Sequence, residues 1–347
     1  MTGSRGALFS KDEAEKQAFV EAFVDRAAGG TVVCVYPKNR SQCHVRVPGA
    51  YHVAYEDLTK REPWLRINNL IGPDSALILE NPSRYPKISS EKFRYLYRLA
   101  FKVAHRAIVD IVPFTLDIQY LYTPMCYLGR DILGYAHYYA FRENYHEIGA
   151  DGRVHSAHDF DVLAAKLAPV SRIGYDGFLC RNRRLVECPA TAAEHAEYAL
   201  RREKLFAGEK SPQRIVTRLA DTVHAFDSRL QALLALLSEL HGETVIYTNL
   251  ATYAARVRQA TDAAGFRNVV AVSYQAGCDR PHENAIYFES PIVKSYYLLD
   301  AESRLAPDAR VFHFRGDTKV DGYLYGEIDR ELRQLDGFTK ELKKHVS

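Results

Sequence analysis

Short apolar runs rich in β-branched residues, each closed by a turn former and followed by a helical stretch, recur along both halves of this chain. That alternation leaves few folds open. TVVCVYP reads as a strand closed by Pro37, and Ser75 to Leu79 as another ahead of Asn81, Pro82 and Ser83. Arg106 to Val112 is a third, stopped by Pro113. These runs are apolar on both faces rather than alternating, so both faces must be covered, and the chain covers them with its own helices. Asp12 to Ala28 sets Ala18, Phe19, Ala22 and Phe23 along one helical stripe before Gly29 and Gly30 end it, with Asp12 or Ser10 as an N-cap. Glu91 to Val103 is a basic amphipathic helix carrying Phe93, Leu96, Tyr97 and Leu99. The pattern predicts an α/β fold with parallel, doubly wound sheets.

The alternation resumes late in the chain. A leucine-rich helix over Leu230 to Leu240 ends at Gly242 and leads into a strand over Thr244 to Thr248 and a helix over Thr252 to Ala264. Strands over Val269 to Val272, Ala285 to Phe288 and Arg310 to Phe314 follow, then a charged helix over Gly322 to Lys344. A length of 347 residues suits two such domains. The boundaries read as a first lobe over 1–190, a helical linker over 191–225, a second lobe over 226–325 and a C-terminal helix over 326–347. A formal charge of +3 neither demands nor excludes a polyanion. The six cysteines lack metal-like spacing, and some lie in apolar runs, which favours free thiols in a reducing cytoplasm. Neither a signal-peptide core nor an apolar stretch near the roughly 18 residues of a membrane span is present, so a soluble cytoplasmic protein is expected.

The order of short blocks adds a resemblance. VVCVYPKNRSQ, YHVAYEDLTK, ALILENPSRYPKISSEKFRYL and RAIVDIVPFTLDIQYLYTPMCYL follow one another in the first half, and ILGYAHYYAFRENYHEIG comes after them. ETVIYTNLATYAARV, VSYQAGCDRPHENAIYFESP and DAESRLAPDARVFHFRGDTKVDGYLY follow in the second. Together, over roughly residues 8 to 340, they resemble the Swi/Snf-like branch of superfamily-two helicases, related to the DEAD and DEAH enzymes and phage-like in type. The resemblance implies two RecA-like lobes of a P-loop NTPase-like helicase core, ATP and magnesium as the family's cofactors, and DNA held through its backbone.

Against that pattern the ATP-handling residues are depleted. A phosphate loop needs glycines, then Lys and Ser or Thr at a helix start. Here Lys11 is the remnant of the phosphate lysine, no glycine stands beside it, and Asp12 takes the hydroxyl's place. The Walker B pair reads Leu79-Glu80, so Glu80 survives as the base while the metal carboxylate is missing. TGTP has become Asp110 to Pro113. Arg304 remains of the arginine block, but its second arginine falls on Pro307. The expectation is a pseudo-ATPase without bound cofactor that binds DNA in replication or recombination, or scaffolds a protein partner there, and that has no membrane role.

The resemblance places nucleic-acid contacts on Lys38, Asn39, Arg40 and Gln42, with Arg46 beyond, and on Arg84 and Lys87. In the second half it places them on Thr248, Asn249, Tyr274 and Gln275, with Tyr253 beside them. The plain alternative for any of these is a solvated loop residue. RNRR at 181–184 is a second basic cluster, and His155, His158, Asp159 and Asp161 read as solvated loop residues rather than a metal site. Two other functions stay open: an active DNA-dependent ATPase or helicase with divergent motifs, and a two-lobed sugar-nucleotide glycosyltransferase with Glu289 gripping a ribose.

Overall fold

The computed structural model describes residues 3–27, 29–38, 45–85, 87–115, 117–150, 154–175, 182–278, 282–290, 295–306 and 308–346. The chain divides into two compact units, the first of residues 1–178 and 333–347 and the second of residues 179–332.

Eight strands of the first unit are described: β1 (Arg5–Phe9), β2 (Val32–Tyr36), β3 (Tyr51–Ala54), β4 (Ala76–Glu80), β5 (His105–Asp110), β6 (His146–Ile148), β7 (Val154–Ala157) and β8 (Ser171–Ile173). Six of them form one sheet in the order β3-β2-β4-β5-β1-β8, with every pairing parallel. β6 and β7 make a separate antiparallel pair. All five residues of β4 are buried, Ala76 to Leu79 as an uninterrupted apolar run requires and Glu80 with them.

Helix α1 (Glu13–Arg26) starts where Asp12 caps it and buries Lys16, Val20 and Phe23. Helix α2 (Arg61–Leu70) follows β3, and α3 (Glu91–Lys102) follows β4. Ser90 caps α3 through the Phe93 amide, and the helix buries Phe93, Leu96, Leu99 and Ala100. The tyrosine-rich stretch folds as α4 (Tyr122–Leu128), α5 (Arg130–Leu133), α6 (Tyr138–Tyr145) and α7 (Phe160–Leu167). Its aromatic rings pack on one another; Phe141 lies 5.3 Å from Tyr145 and 5.5 Å from Tyr122.

The second unit holds β9 (Asn182–Cys188), β10 (Thr244–Thr248), β11 (Val269–Ser273), β12 (Asn284–Tyr287) and β13 (Arg310–Gly316), in the order β11-β10-β12-β13-β9, again all parallel. β9 differs from the boundary read in the sequence. It lies before residue 190, yet it pairs along its whole length with β13 and joins the second sheet. The expected linker differs too. Helices α8 (Ala192–Gly208) and α9 (Pro212–His224) bury Tyr198, Leu205, Leu219 and Val223 against Val320 and Leu324 within the second unit. Thr191 and Glu194 close a reciprocal capping box at the start of α8, and Pro212 opens α9.

Helices α10 (Asp227–Glu239), α11 (Ala251–Ala263) and α12 (Ser295–Ser303) complete the second unit, and α13 (Lys319–Val346) begins there. The end of α13 belongs to the first unit, where Phe338 packs 5.7 Å from Phe114 and 6.2 Å from Phe160. Cys34, Cys126 and Cys188 are buried free thiols, while Cys43 and Cys180 lie outside the described residues. Among the described residues no helix is long and apolar enough to cross a membrane.

Candidate functional site

In a parallel sheet every strand delivers its last residue to the same edge, and ligands of open α/β folds gather there. Because β1, β5 and β4 are neighbours, this rule brings together Ser10, Asp110 and Glu80 in the first unit. All three are buried. The Ser10 amide donates to the Asp110 carbonyl at 2.9 Å, and the Asn81 amide to the Val109 carbonyl at 2.8 Å. The Asp110 carboxylate accepts the Ser83 amide at 2.9 Å and the Ile111 amide at 2.7 Å. Burial pushes Asp110 up, and these amides together with the charge of Lys16 oppose the rise.

The turn from β1 into α1 is short and closed on itself. The Asp12 carboxylate accepts the Ala14 amide at 2.7 Å and the Glu15 amide at 3.4 Å, and the Ser10 hydroxyl accepts the Asp12 amide at 3.0 Å. That hydroxyl in turn donates to the Glu15 carboxylate in a very short bond. Gly174 passes so close that a Cβ there would push the Glu15 carboxylate off the Ser10 hydroxyl. A phosphate at this turn would have to displace a carboxylate from the amides it needs.

The sequence-predicted residues divide sharply. Lys11 is half-buried, with its ammonium 5.8 Å from the centre of the Tyr175 ring. The buried lysine at this edge is instead Lys16, 1% exposed and 3.0 Å from Glu13. Sequence reasoning passed over it, although Lys16, Val20 and Phe23 share a stripe at helical spacing. Glu80 stays at the site, 3% exposed. Arg304 lies in the second unit, where it pairs with Asp300 at 3.3 Å and donates to the Cys278 carbonyl at 3.2 Å.

Among the nucleic-acid candidates, Asn39, Arg40 and Gln42 lie outside the described residues, as does Pro307. Lys38 is exposed, but its amide donates to Glu56 at 3.0 Å and its ammonium sits 3.7 Å from Asp57, so a phosphate there would meet two carboxylates. Arg46 and Lys87 are exposed, and Arg84 is half-buried. Gln275 is exposed in the turn after β11.

Thr248 and Tyr274 are corrections. Thr248 is 0% exposed, with its hydroxyl donated to the Leu250 carbonyl at 3.0 Å. Tyr274 is 3% exposed and donates to the Glu289 carbonyl at 2.7 Å. Both are sealed in the second core, because the strand ends that carry them are covered. Asn249 is half-buried and turns its side chain to the Ser290 carbonyl at 2.9 Å. In RNRR, Arg183 is spent on the buried Glu302 at 2.6 Å. His158 pairs with Asp159 at 2.8 Å in an exposed loop, and no metal-suited group of His, Cys, Asp or Glu occurs among the described residues.

Glu289, at the end of β12, is 0% exposed, so no ribose hydroxyl reaches it. One of its oxygens accepts the Asn249 amide, and the other has no hydrogen-bond partner among the described residues. His224 lies 3.9 Å away, and neither of its ring nitrogens is hydrogen-bonded among the described residues. Burial raises Glu289 to about 7, while burial and the charge of Arg229 hold His224 well below its ordinary value. The two groups bias stability in opposite directions. Glu289, raised above its ordinary 4.5, contributes stability that is present in acid and lost as pH climbs to about 7. Depressed from 6.5, His224 contributes stability that is present above that pH and lost on acidification. Asp221, also raised by burial, acts in the same direction as Glu289. We expect the unfolding free energy of Glu289→Gln, read from urea titrations, to fall as pH drops from 7 to 5, and that of His224→Gln to rise by about 2 kcal/mol. Parallel pH profiles in the two variants would show that the pair does not titrate in this way.

No family model matches this chain, and no curated relative does. Among solved structures, it is similar to a Sulfolobus solfataricus SWI2/SNF2 ATPase core in complex with dsDNA, with a TM-score of 0.40 and 11% identity over 99% of this chain and 90% of that one. It is also similar to S. cerevisiae Dbp5 bound to RNA and ADP BeF3, with a TM-score of 0.46 and 9% identity over 99% of this chain and 90% of that one. Likenesses of this degree transfer no residue role.

Proposed function

We propose that this chain is a helicase-like nucleic-acid-binding protein of two RecA-like units that does not hydrolyse ATP. One observation carries the second half of the reading. The Ala14 and Glu15 amides in the first turn of α1, which in a phosphate-binding turn point at the ligand, are occupied by the chain's own Asp12, whose amide in turn is held by Ser10. The first half rests on the ordered blocks in the sequence and on two all-parallel sheets that present them at strand ends. Exposed Arg46 and Lys87 offer charge to a phosphate backbone. A role in DNA replication or recombination, or as a scaffold for a protein of that process, belongs to the same proposal, as does a phage origin.

Two measurements test it. Calorimetry with ATP and magnesium should give binding weaker than about 1 mM, a free energy smaller in magnitude than roughly 4 kcal/mol. Micromolar, magnesium-dependent binding would overturn the loss of ATP chemistry and favour an active helicase with divergent motifs. Titration of labelled duplex and single strands should give binding that weakens with salt, because backbone contacts release counterions. A protein that binds neither would leave the two units as a docking scaffold only.

A further inference from the structure

Arg5 and Arg106 are register partners across β1 and β5, so two guanidinium groups start side by side at the amino end of the first sheet. Like charges placed opposite one another oppose the sheet they sit in. Asp131 pairs with Arg5 at 2.6 Å and also lies within electrostatic reach of Arg106, which donates to the Tyr127 carbonyl at 3.5 Å and whose Nε has no hydrogen-bond partner among the described residues. Burial and the charge of Arg5 press against the charged form of Arg106 and outweigh the opposing charges of Asp131 and Tyr97. The two arginines line an open cavity of about 420 Å³, together with Phe101 and Lys102 from the end of α3.

Phe101 is 79% exposed, more than any other large apolar side chain among the described residues. Arg94, Arg98 and Phe101 follow one another at helical spacing along the solvent face of α3, and all three are exposed. Half-buried Tyr97 sits beside them with the Arg130 guanidinium 4.8 Å above its ring. A phenyl ring left in water and flanked by cations is poorly explained by folding. It suits a ligand with both a flat aromatic face and a negative charge.

We infer that the solvent face of α3 and the adjoining cavity at the amino end of β1 and β5 bind single-stranded nucleic acid, with phosphates on Arg106 and Lys102 and a base stacked on Phe101. This surface lies at the opposite end of the first sheet from the loops to which the sequence blocks assign nucleic-acid contact. It rests on the nucleic-acid-binding reading above and goes further by naming the strand type and the surface. A duplex keeps its base faces stacked inside and could use the cations but not the phenyl ring.

The test is fluorescence anisotropy with a labelled oligothymidylate and a duplex of the same length. Phe101→Ala changes an exposed side chain and should weaken oligothymidylate binding about tenfold, with duplex binding little changed. Phe101→Trp should restore it. Arg106→Gln should lower the salt slope by about 0.7, provided its thermal melt matches the parent; if it does not fold, the Phe101 pair decides. Should these variants bind as the parent does while Arg46→Ala with Lys87→Ala does not, the surface is wrong and the nucleic-acid reading stands. If the parent binds no nucleic acid, both fall. If inorganic phosphate binds in an Arg106-dependent way but oligothymidylate binding ignores Phe101, the cavity is a small-anion site and the inference is overturned.

Discussion

Arg229→Ala is expected to destabilise the second unit by about 3–5 kcal/mol, the range for breaking a buried ion pair from one side. Arg229 is 2% exposed on α10, and each arm of its guanidinium is used. Its Nε donates to the Phe288 carbonyl at 2.8 Å, one Nη to Asp321 at 3.0 Å and the other to the Phe314 carbonyl at 3.1 Å. The contacts tie α10 to the ends of β12 and β13 and to the start of α13. Truncation leaves Asp321, 3% exposed, with the Thr318 hydroxyl but no cation. Two carbonyls also lose their donors. For a unit of this size the loss corresponds to a fall in melting temperature on the order of 10 °C, read by circular dichroism. The double variant Arg229→Met with Asp321→Leu should recover most of it, since a buried pair replaced by apolar residues is often neutral. A single variant that melts with the parent would mean that the pair is solvated.

Leu79→Asp is the second large effect, and it bears on function as well as stability. Leu79 occupies the position where the resembling family keeps its metal-binding carboxylate. It is 2% exposed and lies between Val35 of β2 and Ile108 of β5, both buried. An aspartate would therefore be buried between two apolar neighbours, at a loss of about 3–5 kcal/mol to the first unit. Trp64, the one tryptophan of the chain, packs 5.4 Å from Tyr95 in that unit, so its fluorescence follows the relevant transition. The new carboxyl would titrate above its ordinary range, so the loss should shrink in acid and grow as pH rises. No ATP turnover should appear, because Asp12 still caps the turn that would hold the phosphates. Turnover in this single variant would show that the remaining nucleotide residues are competent.

The sequence by itself determined the parallel sheets. Runs such as Ala76 to Leu79 are apolar at every position, and only a strand covered on both faces can bury them all. It also determined the cap at Asp12 and the stops at Gly29 and Gly242, because a helix end is satisfied by the few residues around it. It missed β1, since RGALF carries an arginine and too few apolar residues to stand out, and the strand exists because β5 and β8 flank it. Strand order is a long-range choice. It alone brings Ser10, Glu80 and Asp110 to one edge from positions far apart in the chain. Burial of individual polar groups was equally invisible: Lys16, Thr248, Tyr274 and Arg229 look like surface residues until helices close over the strand ends. Tertiary packing decided whether each spends its hydrogen bonds inward or keeps them for a ligand, because a side chain's partners come from elements that local spacing does not reach.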